Sequence, residues 1–174
     1  MQAEIDPISL ILHRQFTSAM LMLRETLHNT PQTLWEKQMW VVVGENPVFS
    51  QPWYIFYHTL FFADLYLQTT DEGYAPPAPF NLDELDPAGI PPGKVFNKTD
   101  LEVFITYILA KSDAIFPKMT NEKALRVAEF SWGFKLPYFE LVIDNIRHIQ
   151  EHSAQCSMFI GQYASHKQKW ISGA

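Results

Sequence analysis

The sequence is poor in cysteine and in clustered positive charge, and each shortage excludes a class of protein. Cys156 is the single cysteine among 174 residues, so no disulfide can form within the chain, and the composition fits a reducing cytoplasm. The formal net charge is -6, and no run of lysine or arginine forms a patch. Because phosphate backbones are bound through clustered positive charge, we expect no nucleic-acid partner.

Long hydrophobic runs are also missing. The most apolar segment, Trp53 to Leu67, is shorter than the ~20 residues that span a bilayer, and it contains His58 and Asp64. The first residues, Met1 to Asp6, show no basic region followed by an apolar stretch, so we expect no secretory signal. These features predict a cytoplasmic protein with no membrane partner.

Three enzyme signatures are absent as well. The chain has no glycine-rich phosphate loop and no Gly-x-Ser-x-Gly nucleophile turn. It also lacks the two Glu-x-x-His motifs of di-iron bundles, since this spacing occurs only once, at Glu25 and His28, which argues against a ferritin-like, oxygen-activating site. Apolar residues, by contrast, are plentiful at 47%, enough at this length to bury one core. We therefore expect a single domain over residues 1–174.

Apolar residues recur at the helical period in four segments. The first predicted helix begins at Asp6-Pro7, an N-cap followed by proline, and ends near Pro31. The second begins at one of two proline start signals, Asn46-Pro47 or Ser50-Gln51-Pro52, and extends to about Thr70. Its apolar residues surround it almost completely, which indicates contact with several helices or with a second subunit. We therefore expect a two-fold homodimer.

The second half of the chain continues the helical pattern. A capping box at Thr99, with Glu102 placed to reach back to the Thr99 amide, predicts the start of the third helix, which ends before Phe116-Pro117. Residues 121–130 are consistent with one short helix. The fourth long helix starts at Pro137 and continues to about Tyr163.

A proline-rich segment, residues 74–97, separates the second and third helices and shows no periodicity. A long connection inside a small helical domain usually crosses over the bundle or builds the rim of a binding site. No strand alternation is visible elsewhere. The sequence therefore predicts an all-α four-helix bundle with a long crossover between helices 2 and 3.

His148 and His152 are four residues apart in the fourth predicted helix. This spacing puts both imidazoles on one helix face, where two neutral rings can bind one divalent metal ion. His58 lies in the middle of the second helix, so all three rings could meet if the two helices pack together. The alternative is that each is an ordinary surface or core histidine.

Other residues could change the ligand set. His13 might replace His58, although its neighbours Arg14 and Gln15 suggest an exposed face. Cys156, one turn beyond His152, is either a fourth ligand or a small buried residue, and the second interpretation is favoured. His28 and His166 resemble helix-end residues.

The same segment contains the inverted zinc-peptidase pattern His-x-x-Glu-His, with Glu151 as its glutamate. That class needs a further acidic ligand downstream, and neither Asp nor Glu follows His152 in the chain. Glu151 is therefore interpreted as a solvated helix residue.

Residues 148–155 read His-Ile-Gln-Glu-His-Ser-Ala-Gln, and residues 56–61 read Phe-Tyr-His-Thr-Leu-Phe. With the order of the predicted helices, these segments resemble the DinB-like (damage-inducible) superfamily of four-helix bundles, whose fourth-helix pattern is His-x-x-x-His-Arg-Gly-Gln. Ser153 and Ala154 stand where arginine and glycine are frequent. Both are small, so we expect close helix packing to survive, while any role of the arginine is lost.

The resemblance implies that His58, His148 and His152 bind a divalent metal, namely zinc, nickel or iron, and leave positions open for another ligand. Some relatives are thiol transferases in which the metal activates a low-molecular-weight thiol. Two hypotheses follow. The protein is either a metal-dependent thiol transferase, with a small thiol or another small molecule as partner, or a non-catalytic metal- or ligand-binding stress-response protein on the same bundle.

Overall fold

A computed structural model describes residues 7–174, apart from the side chain of Pro7, and shows a mostly helical chain. The predicted N-cap Asp6 lies outside the described residues. The helices are α1 Pro7–Asn29, α2 Pro52–Leu65, α3 Lys98–Ile115, α4 Asn121–Leu125 and α5 Tyr138–Tyr163, and the strands are β1 Val127–Glu129 and β2 Lys135–Pro137. The expected all-α class is confirmed at this level. Within residues 7–174, no helix combines the length and apolar character needed to cross a bilayer.

The four long helices pack in a closed ring. Helix α1 contacts α3 and α5, and α2 contacts the same two helices. The interior is filled mainly by aromatic and aliphatic side chains. Its largest fully buried members include Trp35, Trp53, Tyr57, Phe16, Phe56, Phe61, Phe104 and Phe116. The helix order around this ring makes α2 and α5 neighbours, and this contact positions the candidate site.

Helix α2 begins at Pro52, with proline in the first turn, whereas the earlier start signal forms a separate 3-10 turn at Pro47–Ser50. The predicted end near Thr70 is wrong, because the last helical residue is Leu65. Past this point the chain tightens into turns, and the Thr69 carbonyl accepts a hydrogen bond from Glu129 N at 2.8 Å. A tertiary bond to strand β1 therefore replaces the last predicted helical turn.

Helix α2 is covered on nearly every face by its own chain. Its buried residues are Pro52, Trp53, Tyr54, Ile55, Phe56, Tyr57, Thr59, Leu60, Phe61, Ala63, Asp64 and Leu65. The neighbouring helices and connections supply this cover, so the apolar surface of α2 does not require a second subunit. The homodimer stays a prediction, and the composition of α2 no longer supports it.

Helix α3 begins two residues earlier than the predicted capping box requires. Asn97 is the N-cap, and its side-chain oxygen accepts a hydrogen bond from Asp100 N at 2.9 Å. Glu102 does not reach back to the Thr99 amide; its carboxylate contacts the side chains of Arg24 and His28 on α1. The capping-box prediction is wrong, because the carboxylate meets two basic side chains of the neighbouring helix.

The predicted helix over residues 121–130 is wrong beyond Leu125. After that residue the chain forms an antiparallel hairpin in which Ala128 pairs with Leu136. Gly133 supplies the turn with a φ of 86°, a backbone conformation that glycine adopts without strain. Each strand has only three residues. The alternation of polar and apolar residues is therefore too short to be recognised in the sequence.

The connection between α2 and α3 is irregular, as predicted, apart from one 3-10 turn at Asp83–Leu85. Aromatic residues fasten it to the core. The Phe80 ring lies 4.5 Å from the Phe104 ring and 4.7 Å from the Phe96 ring, centroid to centroid. The Phe96 carbonyl accepts a hydrogen bond from the Trp35 indole at 3.0 Å. This anchoring fixes the intervening acidic turn against α2.

Candidate metal centre

The contact between α2 and α5 brings together the three histidines that the sequence singles out. His58 comes from the middle of α2, and His148 and His152 come from successive turns of α5. One ring nitrogen from each lies within 4.8 Å of one from each of the others. All three side chains are partly buried. The structure therefore satisfies the first requirement of a three-histidine site.

The spacing of the rings matches the size of a divalent transition-metal ion. The ring centroids lie 5.2 Å apart for His58 and His148, 5.1 Å for His58 and His152, and 4.5 Å for His148 and His152. His58 Nε2 and His148 Nε2 are separated by 3.3 Å. Two nitrogens bound tetrahedrally to zinc at about 2.05 Å lie about 3.3 Å from each other. This pair of nitrogens therefore has the spacing of two ligands of one metal ion, and one ring nitrogen of His152 lies within 4.8 Å of one from each of the other two histidines.

Glu84 orients the ring of His58. Its carboxylate oxygen Oε2 lies 2.7 Å from His58 Nδ1, and the side chain is only 5% exposed. A carboxylate accepts a proton donor, so Nδ1 carries the hydrogen and Nε2 keeps the lone pair that faces His148. Sequence reasoning missed this residue. The available signal was its position in the proline-rich segment that was expected to build a binding rim.

Gln155 orients the ring of His152. Its side-chain oxygen accepts a hydrogen bond from His152 Nδ1 at 2.8 Å, which leaves Nε2 free to bind a metal. Gln155 is the last residue of the fourth-helix pattern and lies three positions after His152, on the same helix face. The pattern therefore contains both a candidate ligand and the residue that sets its tautomer.

The environment keeps the rings of His148 and His152 neutral. Burial, followed by the neighbouring His152 and His58, lowers the pKa of His148 to about 3. Burial is also the largest cause of the lowered pKa of His152. His148 Nδ1 is buried and has no hydrogen-bond partner among the described residues. Neutral imidazole is the form that binds a metal, so these two rings are already in the binding form over the usual pH range.

Aromatic side chains surround the histidines. The Phe62 ring lies 5.0 Å from the His58 ring and 5.9 Å from the His148 ring, and Tyr54 stacks on His58 at 6.0 Å. Burial raises the pKa of Tyr54 and of Tyr57, and the Glu84 carboxylate adds to both increases. Both phenols therefore stay protonated, and the Tyr54 hydroxyl is hydrogen-bonded to the Glu84 carboxylate.

The other histidines lie elsewhere. His13 stacks on Phe116 with a centroid distance of 5.2 Å, and its Nε2 lies 3.0 Å from Asp113 Oδ1 without the alignment of a hydrogen bond. The prediction of an exposed face for His13 is therefore wrong, since its side chain is only 20% exposed. His28 lies in the last turn of α1, as predicted, whereas the nearly buried His166 follows the end of α5.

The burial of Cys156 and the exposure of Glu151 bear on the two other roles considered for residues near His152. Cys156 is completely buried and does not belong to the histidine group, so its interpretation as a small core residue is confirmed. Burial raises the pKa of its thiol, which disfavours the thiolate that metal binding requires. Glu151 is exposed, as expected of a solvated helix residue.

Ser153 and Ala154 occupy different environments. Ser153 is buried, and its hydroxyl accepts a hydrogen bond from the Gln168 amide at 2.6 Å. The same amide donates to the Met22 carbonyl and to the Thr26 hydroxyl, so the segment after α5 is tied to α1. Ala154 is exposed. The expectation that a small residue permits close packing therefore holds for Ser153 and is wrong for Ala154.

Comparison with protein families, with curated proteins and with solved structures finds no match to this chain. The resemblance to the DinB-like superfamily therefore rests on the residues of α2 and α5 that carry it.

Proposed function

We propose that this chain is a DinB-like four-helix bundle that binds one divalent metal ion through His58, His148 and His152. The observation that carries the proposal is the 3.3 Å separation of His58 Nε2 and His148 Nε2. The ring of long helices and the irregular connection from α2 to α3 support the bundle with a crossover. The single buried cysteine supports a cytoplasmic location.

The donor set favours a catalytic over a structural site. Three imidazoles are fewer ligands than a closed tetrahedral site contains, and they leave at least one position for water or a small molecule. All-nitrogen ligation suits zinc, nickel or iron. Glu84 and Gln155 hold the outer nitrogens of His58 and His152, an arrangement that strengthens and orients metal-binding imidazoles.

For the reaction we propose the transfer of a low-molecular-weight thiol to an electrophile. A bound divalent cation lowers the pKa of a coordinated thiol and thereby supplies a thiolate nucleophile. The chain's own contribution is positioning. Phe62 and Tyr54 exclude water from two sides of His58. The protonated Tyr54 phenol also hydrogen-bonds the Glu84 carboxylate, which helps to hold Glu84 beside His58.

A second candidate is a non-catalytic ligand-binding or stress-response protein, and one contact favours it. In the absence of a metal, the 3.3 Å approach of His148 Nε2 to His58 Nε2 is compatible with a weak hydrogen bond between the rings. The three histidines would then stabilise the contact of α2 and α5 and perform no chemistry. Metal content separates this candidate from the metal-binding proposal.

The first experiment measures the metal content of untagged protein by plasma mass spectrometry. We expect about one zinc, nickel or iron ion per chain, and loss of most of it in each of the variants His58→Ala, His148→Ala and His152→Ala. His13→Ala is the matched control, because His13 lies outside the site. Circular dichroism of each variant checks that the helices remain.

The outcomes are distinct. Full metal content in His58→Ala together with loss in His148→Ala would show that the three-histidine site is wrong. Metal-free wild-type protein that does not bind added zinc would favour the second candidate. Metal-loaded protein without turnover in a screen of thiols and electrophiles would retain the metal site and reject the transferase.

A further inference from the structure

A cleft opens directly onto the proposed metal centre. Its volume is about 460 Å³, and it is lined by Trp40, Glu45, Phe49, Tyr54, Ile55, His58 and His152. We call it the histidine cleft. This volume lies within the range of small-molecule sites, which is roughly 300–1,000 Å³. Because two of the three histidines form part of its wall, a molecule in this cleft would reach the open position of the metal.

The walls of the histidine cleft are largely aromatic. Phe49 and Tyr54 lie in contact, with ring centroids 5.0 Å apart, and Tyr54 continues onto the His58 ring. Trp40 is partly exposed at the rim. The faces of aromatic rings carry partial negative charge and attract an ammonium or guanidinium group. The walls therefore suit an organic cation or an apolar group.

The charged side chains that line the clefts beside the three histidines are acidic. Among residues 7–174, Glu45 is the only acidic side chain that lines the histidine cleft, and its carboxylate forms no ion pair with another of these residues. A second cleft on the crossover side is lined by Glu84 and Asp86 together with Phe62, Tyr66 and Trp132. In the part of the chain that the structure describes, neither cleft is lined by lysine or arginine.

Arg147, the basic residue next to His148 in the sequence, does not neutralise the negative charge of the clefts. Arg147 precedes His148, but its side chain is 77% exposed and pairs with Asp144 on the same helix. A carboxylated ligand would therefore find no cationic side chain in the histidine cleft, and Glu45 would repel it. An ammonium group would find one carboxylate and two aromatic faces.

We propose that the histidine cleft selects small molecules that carry an amine, whose cationic group contacts Glu45, Trp40 and Tyr54. The inference rests on the proposed metal site and names the charge class of its ligand. For the thiol reaction, it predicts an aminothiol, and it disfavours thiols that carry carboxylates.

The test uses cobalt-loaded protein and three thiols of similar size: cysteamine, 2-mercaptoethanol and 3-mercaptopropionate. Binding is followed by the thiolate-to-cobalt absorption band. Because the thiols differ in acidity, each affinity is compared between wild type and Glu45→Gln, so that the intrinsic acidity cancels. We expect the substitution to weaken cysteamine about twofold to fivefold, to leave 2-mercaptoethanol unchanged and to strengthen 3-mercaptopropionate.

Two further variants separate the contribution of the aromatic rim from that of the carboxylate. Trp40→Leu should weaken cysteamine about twofold to fivefold, whereas Trp40→Phe should retain part of the affinity. Glu122→Gln, on α4, is the control for a change of net charge away from the cleft. An equal effect of Glu122→Gln would mean that only the overall charge matters, which would overturn the proposal.

A second pair of probes does not depend on thiol chemistry. Benzylamine and benzyl alcohol are titrated calorimetrically into wild type and Glu45→Gln, with and without metal. If no thiol binds but Glu45→Gln weakens benzylamine selectively, the transferase fails and the charge inference stands. If Glu45→Gln changes none of the charge preferences, the charge inference fails whatever the metal content.

Discussion

Glu84 affects the candidate metal centre although it does not belong to the ligand group. It is almost completely buried, and its carboxylate lies 2.7 Å from His58 Nδ1. A buried carboxylate is expensive unless it is hydrogen-bonded, and the contact with His58 Nδ1 meets that requirement. The pair therefore stabilises one tautomer of His58 and one position of the crossover at the same time.

Replacement of Glu84 by glutamine should weaken metal binding by about tenfold to a hundredfold. The amide oxygen can still accept a hydrogen bond from Nδ1, but it carries no charge and therefore supports the imidazole less well as a metal ligand. Affinity is measured by competition with a chelator. Glu151→Gln is the matched control, since Glu151 is exposed beside His152 on the same helix. Equal affinities of wild type and Glu84→Gln would show that the carboxylate does not support the ligand.

His148 should make the stability of the metal-free protein depend on pH. In the unfolded chain the ring binds a proton below its ordinary pKa of about 6.5, whereas in the native chain the pKa is about 3. Below pH 6.5 the unfolded chain therefore binds a proton at this ring that the native chain does not bind. The free energy of unfolding is highest above pH 6.5 and decreases as the pH falls from about 6.5 towards about 3. His152, whose pKa is also lowered, acts in the same direction.

Urea denaturation at several pH values between 4 and 7 checks this expectation. Relative to His148→Gln, the wild-type free energy of unfolding should fall by up to about 1.4 kcal/mol per pH unit as the pH decreases. Chelator is present throughout, so that metal binding does not enter. Parallel curves for the two proteins would contradict a neutral, buried ring.

At the residue scale the sequence predicted that the three histidines meet and missed the residues that hold them. The pairing of His148 and His152 follows from helical spacing, and that of His58 from its place in the middle of the second helix and from the resemblance. Glu84 could not be predicted, because its hydrogen bond joins α2 to a segment without periodicity. Gln155 was visible as part of the pattern, but its contact with His152 depends on a side-chain rotamer that spacing does not determine.

Side-chain to backbone hydrogen bonds fix α5 against α2 on one side of the site. The buried Asn145 donates from its amide to the Ala63 carbonyl at 3.1 Å. The Tyr138 hydroxyl donates to the Leu67 carbonyl at 2.9 Å. Asn145 lies three residues before His148, so its bond sets the position of the first ligand on α5 relative to His58.

Asn145→Ala should lower the free energy of unfolding by about 1–3 kcal/mol, the usual effect of removing a buried hydrogen-bonding group. It should also weaken metal binding, because the register of α5 against α2 is no longer held. Chemical denaturation and chelator competition measure the two effects. Arg147→Ala, a change to an exposed residue of the same helix, should affect neither quantity appreciably. A stable variant with unchanged metal affinity would show that apolar packing alone sets the register.

Element boundaries were predictable where local signals decide them. Proline starts α2 at Pro52, and α5 begins just after Pro137, as local chemistry suggests. The end of α2 was not predictable, because the Thr69 carbonyl bonds to a strand far along the chain. The hairpin of β1 and β2 was also missed, because two strands of three residues each carry too little sequence pattern to predict that they pair.

On the scale of the whole molecule, we expect the apolar core to be sufficient for folding without the proposed metal ion. Aromatic and aliphatic side chains fill the space between the long helices, and burial of such surface is the main source of folding free energy. The three histidines lie at one contact between helices, so we expect the fold not to depend on the proposed ion. The metal should therefore stabilise a chain that is already folded.

Removal of the metal by a chelator should leave the far-ultraviolet circular dichroism nearly unchanged and lower the melting temperature. Restoring the ion should raise the melting temperature with metal concentration, as expected for a ligand that binds only the native state. Differential scanning calorimetry follows both steps, with His58→Ala as the variant that should not respond. Loss of helicity upon chelation would mean instead that the metal is required for folding.

The aromatic anchors of the connection between α2 and α3 have a consequence for how such a protein can diverge. Phe80 and Phe96 hold its flanks in the core, while the short turn between them carries Glu84 to His58. Insertions, deletions and substitutions accumulate most readily in irregular surface segments. Substitutions at a few positions of this loop can therefore change the affinity for the proposed metal ion during evolution, while the three histidines and the helices stay the same.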